Sequence, residues 1–150
     1  MDIPGYLWLK FTHILVAIIA LGTSAGLGIL LEFFGNDPAH GAFVLRAIRR
    51  LLYLVVAPGY ALMFITGMGL TKMAWSMSAG WLQAAMGLWA LGALLLSLAI
   101  RVLHRQIALF EAEGPASGAY RRVALLGRLL GGGTGLVVVA IVYFMVTKPA

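Results

Sequence analysis

His13 is the residue whose type and position most strongly suggest chemistry. It lies about a third of the way into an apolar segment that begins near Tyr6, and an ionisable side chain at that depth in a membrane span is costly unless it has a partner or a function. An imidazole there could ligate haem iron or a metal ion, or carry a proton. The alternative is a neutral imidazole that hydrogen-bonds a neighbouring helix.

The other two histidines are weaker candidates. His104 lies beside Arg105 at the far end of a later apolar segment, and at 1.5 Å per residue it should be roughly 20 Å or more from His13 along the membrane normal. One iron cannot take both as ligands. His40 lies in a turn-forming segment.

Thioethers form a second set of candidate ligands, at the same end of the chain's apolar segments as His13. Thioethers suit Cu(I), and a methionine also serves as an axial haem ligand. Methionine is also common in helical cores, and the spacings between the candidate methionines do not keep them on one helical face. The two nearest His13 in depth are Met63 and Met68, and the other members are Met73, Met77 and Met86.

Three charged residues inside or beside apolar segments complete the candidates. Lys10 and Lys72, on the side of His13, could bind haem propionates or an anionic headgroup, although long cationic side chains also snorkel to water. Glu32 is the only carboxylate inside an apolar segment. We expect it to pair with the cluster formed by Arg46, Arg49 and Arg50.

Composition excludes several classes of function. The chain has no cysteine, so disulfides, thiolate metal sites and thiol catalysis are absent. We find no paired catalytic carboxylates, no phosphate-binding glycine loop beside a strand, and no nucleophile with a base. The net charge of +6 does not indicate nucleic acid, because the cations lie at the ends of apolar segments.

The elements that position these residues must be membrane helices. Of the 150 residues, 62% are hydrophobic and 11% charged, against about half and a quarter in soluble domains. A span needs roughly 20 apolar residues. The sequence therefore predicts one all-α domain, residues 1–150, that crosses the lipid bilayer four times as a four-helix bundle.

Turn residues and apolar periodicity give the limits of the helices. Pro58 lies inside the second helix, where it removes a backbone donor and predicts a kink. The short connection before the third helix predicts that helices 2 and 3 pack antiparallel. The four helices are expected at about residues 6–34, 43–72, 81–104 and 120–147.

The cations indicate the orientation. Eight arginines flank the connections after helices 1 and 3, whereas the three lysines lie on the opposite side. By the positive-inside rule, the arginine side faces the cytoplasm and both termini lie outside. Trp8, Trp75, Trp81 and Tyr6 then fall at the outer interface, where aromatic rings anchor.

Small residues recur at helical spacing in two helices. Gly22, Gly26 and Gly28 lie in helix 1, and such spacing lets backbones approach closely. Helix 4 has the corresponding series Gly127, Gly131 and Gly135. Two interpretations stay open for helix 4: packing inside the bundle, or a homodimer formed through this face.

Several phrases of the sequence are similar to the integral membrane family called domain of unknown function 2269. They are LWLKFTHILVAIIALGTSAGLG, VVAPGYALMFITGMGLT, GWLQAAMGLWALGAL and IVYFMVTKP, and together they extend over nearly the whole chain. That family resembles in layout the HemJ-type protoporphyrinogen oxidases and the CopD copper-resistance proteins, which also have a histidine in helix 1. The resemblance implies a multi-pass protein of the bacterial inner membrane.

The resemblance also implies a cofactor. HemJ-type proteins bind haem b through the helix 1 histidine, a role that carries over to His13. In helix 3 the chain has Gln83 and Ala85 where those oxidases have a histidine and a lysine. We therefore expect a haem b-binding or redox accessory protein; the alternatives are a HemJ-like oxidase and a copper-handling protein. Whether the protein is an enzyme stays open.

The orientation is testable with reporter fusions. A reporter fused after the last residue should be active only outside the cytoplasm, because the charge asymmetry places the C-terminus there. The matched control inserts the same reporter between Gly35 and Gly41, which should report the cytoplasm. A C-terminal fusion that is active only in the cytoplasm would contradict the orientation.

Overall fold

The protein forms four long helices, described by a computed structural model over residues 3–148. They are α1 (Ile3–Phe34), α2 (Gly41–Ala74), α3 (Gly80–Glu113) and α4 (Gly118–Thr147). Each is long and apolar enough to cross a membrane, and no strand occurs among the described residues. The all-α prediction with four spans is confirmed.

Consecutive helices run antiparallel, which gives the bundle two distinct ends. We call the end with the α1–α2 turn (35–40) and the α3–α4 turn (114–117) the Arg-rich end. The other end carries the start of α1, the α2–α3 turn (75–79) and the end of α4, and we call it the terminal end.

α3 extends to Glu113, beyond the end at about residue 104 that the sequence predicts. Gln106, Ile107 and Phe110 lie beyond that limit and are all buried, because they fall on one helical face that packs on the core. The helix ends where Gly114 takes a positive φ of 80°, a conformation that glycine adopts at little cost.

The irregularity expected near Pro58 takes the form of a π-helical turn. Residues Leu52–Val56 form this turn inside α2, and the N–H of Ala57 donates to the carbonyl of Leu52. Proline has no N–H, and its ring clashes with the carbonyl four residues earlier. The wider turn accommodates this within a continuous helix.

The hydrophobic core lies toward the Arg-rich end, where all four helices meet. Leu45 and Tyr120 are fully buried there. Gly41 allows α2 to approach α3 closely, because a Cβ at this position would lie 2.6 Å from Cε2 of Phe110. The remaining buried members of the core are Leu27, Ile48, Val56, Leu103, Ile107 and Ala124.

A buried polar node joins three segments within this core. The hydroxyl of Tyr120 donates to the carbonyl of Gly35 and accepts from Nε2 of Gln106, which is 3.0 Å away. Ser117 caps α4 by accepting from the N–H of Tyr120 at 3.1 Å. The node therefore ties the turn after α1 to both α3 and α4.

Two ion pairs link helices at the Arg-rich end, and they correct the partner expected for Glu32. Oε2 of Glu32 lies 3.0 Å from Nε of Arg128, and Oε1 of Glu111 lies 2.6 Å from Nη1 of Arg46. The prediction that Glu32 pairs with the arginines of α2 is therefore wrong. The last turn of α1 directs Glu32 toward α4, while Arg46 faces α3.

Toward the terminal end the helices pack chiefly as two pairs, α1 with α2 and α3 with α4. Aromatic rings connect the pairs: Trp89 of α3 stacks on Tyr60 and Phe64 of α2, at centroid distances of 5.3 and 4.4 Å. Lys148 lies over the ring of Trp75 at 4.1 Å. Bulky side chains thus hold α2 and α3 farther apart here than in the core.

The polar node predicts the effect of removing one hydroxyl. Tyr120→Phe should destabilise the protein by about 1–3 kcal/mol, because the Gly35 carbonyl and the Gln106 amide lose a buried partner. Thermal unfolding in a mild detergent measures the change. The control is Tyr143→Phe, an exposed tyrosine whose loss should change stability by less than about 0.5 kcal/mol. Equal unfolding temperatures for the two variants would contradict the assigned role of the node.

Candidate functional site

His13 lies between α1 and α2 because glycines of α2 let the two helices approach. A Cβ on Gly59 would lie 2.6 Å from Cβ of Ala20, and one on Gly69 would lie 2.8 Å from Cδ2 of Leu9. Between these two contacts, the His13 ring packs on Gly67, where a Cβ would be 3.3 Å from Cε1. The imidazole is half-buried.

One hydrogen bond defines the protonation of this ring. Nδ1 of His13 lies 2.7 Å from Oγ1 of Thr66, and the same hydroxyl donates to the carbonyl of Leu62 at 2.7 Å. A hydroxyl has a single proton to donate. When Thr66 uses this proton on the Leu62 carbonyl, it accepts from the imidazole, and the proton of a neutral His13 then lies on Nδ1 with the lone pair on Nε2.

Nε2 of His13 remains available to a ligand. It makes no hydrogen bond to any residue between 3 and 148, and it is not among fully buried atoms that lack a partner, since that set is empty for the described residues. The atom therefore reaches the molecular surface. An anchored Nδ1–H with an accessible Nε2 is the arrangement that metal-ligating histidines use.

The structure places the predicted thioether ligands differently around α2. At about 100° per residue, Met63 lies about 60° around the helix from Thr66, and Met68 about 200°. Met63 therefore shares the side of α2 that holds His13, whereas Met68 points away from it. Both methionines are half-buried.

Lys10 and Lys72 are exposed, on the terminal-end side of the imidazole. Lys10 precedes His13 by about one turn of α1, and Lys72 lies in the last turn of α2. Their ammonium groups can therefore reach the interface at that end of the bundle. Their assignment to propionates or headgroups stays a prediction.

The other two histidines have separate partners. Nδ1 of His40 lies 2.8 Å from Oδ2 of Asp37 in the α1–α2 turn, and this hydrogen bond lowers the pKa of the Asp37 carboxyl below its ordinary value. Nε2 of His104 lies 3.3 Å from the hydroxyl of Tyr53. Across residues 3–148, no group of three histidine, cysteine or acidic side chains could hold a metal ion.

Two cavities lie outside the His13 site. One, of about 500 Å³, opens at the Arg-rich end between the two turns and α4. The other, of about 440 Å³, lies along Pro4, Leu7, Trp8 and Phe11 of α1. His13 lines neither of them.

The glycines of α4 divide into two groups. A Cβ on Gly127 would lie 3.5 Å from Oε1 of Gln106, so packing inside the bundle accounts for this residue. A Cβ on Gly131 or Gly135 would have no atom within 4 Å. Internal packing therefore does not account for these two positions, and the homodimer through this face stays a prediction.

A family model matches residues 7–149, with the description "Predicted integral membrane protein (DUF2269)". The chain belongs to the DUF2269 family. No curated protein and no solved structure matches it. The DUF2269 assignment confirms the family resemblance found in the sequence and establishes a multi-pass integral membrane protein.

His13 could be singled out from the sequence, but Thr66, which its imidazole contacts, was not. Thr66 was not singled out, since a threonine in a membrane helix usually bonds its own backbone, as this one also does. The available signal was its position beside Gly67 in a glycine-rich stretch of α2, which permits a close helix neighbour. Hydrophobic periodicity does not detect such a close approach of two helices.

The close α1–α2 contact predicts a destabilising variant with a rescue. Gly59→Ala should cost about 1–3 kcal/mol, because the new methyl would force α1 away from α2. Thermal unfolding in detergent measures this, with Gly87→Ala as control, since a Cβ on Gly87 has no atom within 4 Å. Adding Ala20→Gly to Gly59→Ala should recover part of the loss. If Gly59→Ala matches Gly87→Ala, the proposed contact is incorrect.

Proposed function

We propose that this DUF2269 protein binds haem b in a bacterial inner membrane, as a redox accessory protein, with Nε2 of His13 as an axial ligand. The observation that carries the proposal is the hydrogen bond from Nδ1 of His13 to Thr66. It orients the ring and leaves an unprotonated nitrogen at the surface, which is what iron ligation requires.

The ligand inventory favours haem over a metal ion held by histidine, cysteine and acidic side chains. A structural Zn²⁺ site takes about four histidine, cysteine or acidic ligands, and the described residues offer no group of three of these. Haem iron brings four porphyrin nitrogens and needs only one or two ligands from the protein. A single oriented imidazole fits that need.

The other groups of the proposed site follow from their positions. Met63 would help to hold the haem iron together with His13, because it shares the His13 side of α2. Lys10 and Lys72 are exposed toward the terminal end and can neutralise propionates. When bound, haem would supply one-electron transfer, while His13 and Thr66 would fix the iron's position and potential.

The proposal predicts a coloured protein whose colour depends on two residues. Purified from haem-replete cells, the wild type should show a Soret band, and His13→Ala should lose it while keeping its fold. Thr66→Val should weaken haem affinity about 10- to 100-fold, because the ring loses its orienting acceptor. His40→Ala and His104→Ala serve as controls and should keep the full band.

Several outcomes would overturn the haem assignment. They are a colourless wild type, a full Soret band in His13→Ala, or equal haem loss in the His104→Ala control. Bound copper without a Soret band would favour the copper-handling alternative. Haem together with turnover of protoporphyrinogen, abolished by His13→Ala, would favour the HemJ-like oxidase. Circular dichroism and size-exclusion profiles establish that each variant is folded.

A further inference from the structure

The cavity at the Arg-rich end is lined by both basic and apolar residues. It lies between the α1–α2 turn, the α3–α4 turn and the first turns of α4. Asn36, Arg121 and Arg128 line it with hydrogen-bond donors, while Ala124 and Leu125 of α4 supply part of its apolar surface. These donors can all bond an anion.

The two arginines lie on one face of α4. They are seven residues apart, which is close to two helical turns and about 10 Å along the axis. Arg128 bonds Glu32 through Nε, and a guanidinium has four further N–H donors on its terminal nitrogens. Arg121 is exposed and forms no ion pair with any residue between 3 and 148.

The same face of α4 continues toward the terminal end as a strip without side chains, which we call the glycine trough. Gly131, Gly132 and Gly135 follow Arg128 by three, four and seven residues, so they share its side of the helix. A Cβ on any of the three would have no atom within 4 Å, and the same holds for Gly28 of α1.

The depths of the arginine-lined cavity and of the glycine trough match the layers of a bilayer. The stretch 129–147 of α4 carries no charge, and about 20 helical residues cross a hydrocarbon core of roughly 30 Å. Placing the core over that stretch puts Arg121 and Arg128 among the headgroups. The glycine trough then lies at the depth of the acyl chains.

We propose that this face binds one anionic phospholipid, with its phosphate in the cavity between Arg121 and Arg128 and an acyl chain along Gly131, Gly132 and Gly135. Basic pockets between membrane helices on the arginine-rich side favour anionic headgroups. The absence of side chains on the trough gives an acyl chain direct contact with the backbone of α4.

Charge favours a lipid over a second copy of the chain on this face. In a symmetric dimer through the trough, each copy would bring to the same interface Arg121, which has no ion-pair partner among residues 3–148, together with the Arg128–Glu32 pair. Like charges at that spacing repel, and the dimer face supplies no additional anion. A lipid phosphate neutralises them instead.

The test is titration of phosphatidylglycerol or phosphatidylcholine into the delipidated full-length protein, with thermal stabilisation and native mass spectrometry as readouts. The wild type should retain one phosphatidylglycerol in preference to phosphatidylcholine. Arg121→Gln should weaken phosphatidylglycerol binding about five- to tenfold. The control Arg122→Gln makes the same charge change at the next residue, outside the cavity lining, and should bind as the wild type does.

A second pair of variants tests the trough. Gly131→Leu should weaken phosphatidylglycerol binding by filling the acyl-chain path, whereas Gly87→Leu, at an open glycine of α3, should not. Equal effects of Arg121→Gln and Arg122→Gln would overturn the proposal, as would stabilisation by inorganic phosphate equal to that by the lipid. A wild-type dimer that Gly131→Leu dissociates, with lipid retention unchanged, would assign the face to a second copy and also overturn it.

Discussion

Hydrocarbon offers no hydrogen bonds, so each polar group that is fully buried within this bundle must find its partner inside the protein. Among the described residues, no buried side-chain nitrogen or oxygen lacks one. Hydroxyls in the spans donate hydrogen bonds to carbonyls one turn earlier, as Thr71 does to Gly67 and Thr134 to Leu130. Thr66 does the same with Leu62, and its hydroxyl then accepts from His13. The hydrogen bond that Thr66 donates within its own helix thus bears on which nitrogen of the imidazole carries the proton.

The two ends of the bundle differ in how their helices pack. At the Arg-rich end, Tyr120 and Gln106 connect the α1–α2 turn to α3 and α4 within a continuous core. At the terminal end the helices pack chiefly in pairs, and aromatic rings around Trp89 bridge them. A pairwise arrangement leaves more polar surface accessible than a closed core does. The half-buried imidazole of His13 lies in that more open part.

The four spans could be predicted because hydrophobic length is a local property of the sequence. The limit of α3 at Glu113 could not, since its last turns carry polar residues and are held by Phe110 and Ile107 against distant helices. The partner expected for Glu32 was wrong because the rotation of α1 about its axis could not be predicted. Helix rotation decides whether it faces α2 or α4, and composition does not report rotation. His13 was found by residue type and depth, but Thr66 required knowing which face of α2 meets α1.

The π-helical turn at Leu52–Val56 has a consequence for the whole second span. A π turn holds one more residue than an α turn, so it shifts the angular phase of everything after it by about 100°. Before the turn, α2 contacts both α1 and α3, and after it α2 packs mainly on α1. One unbroken helix can therefore present a different side to its neighbours in each leaflet. Deleting a single residue there would rotate the second half of α2 about its axis by about 100°, in addition to shortening the helix.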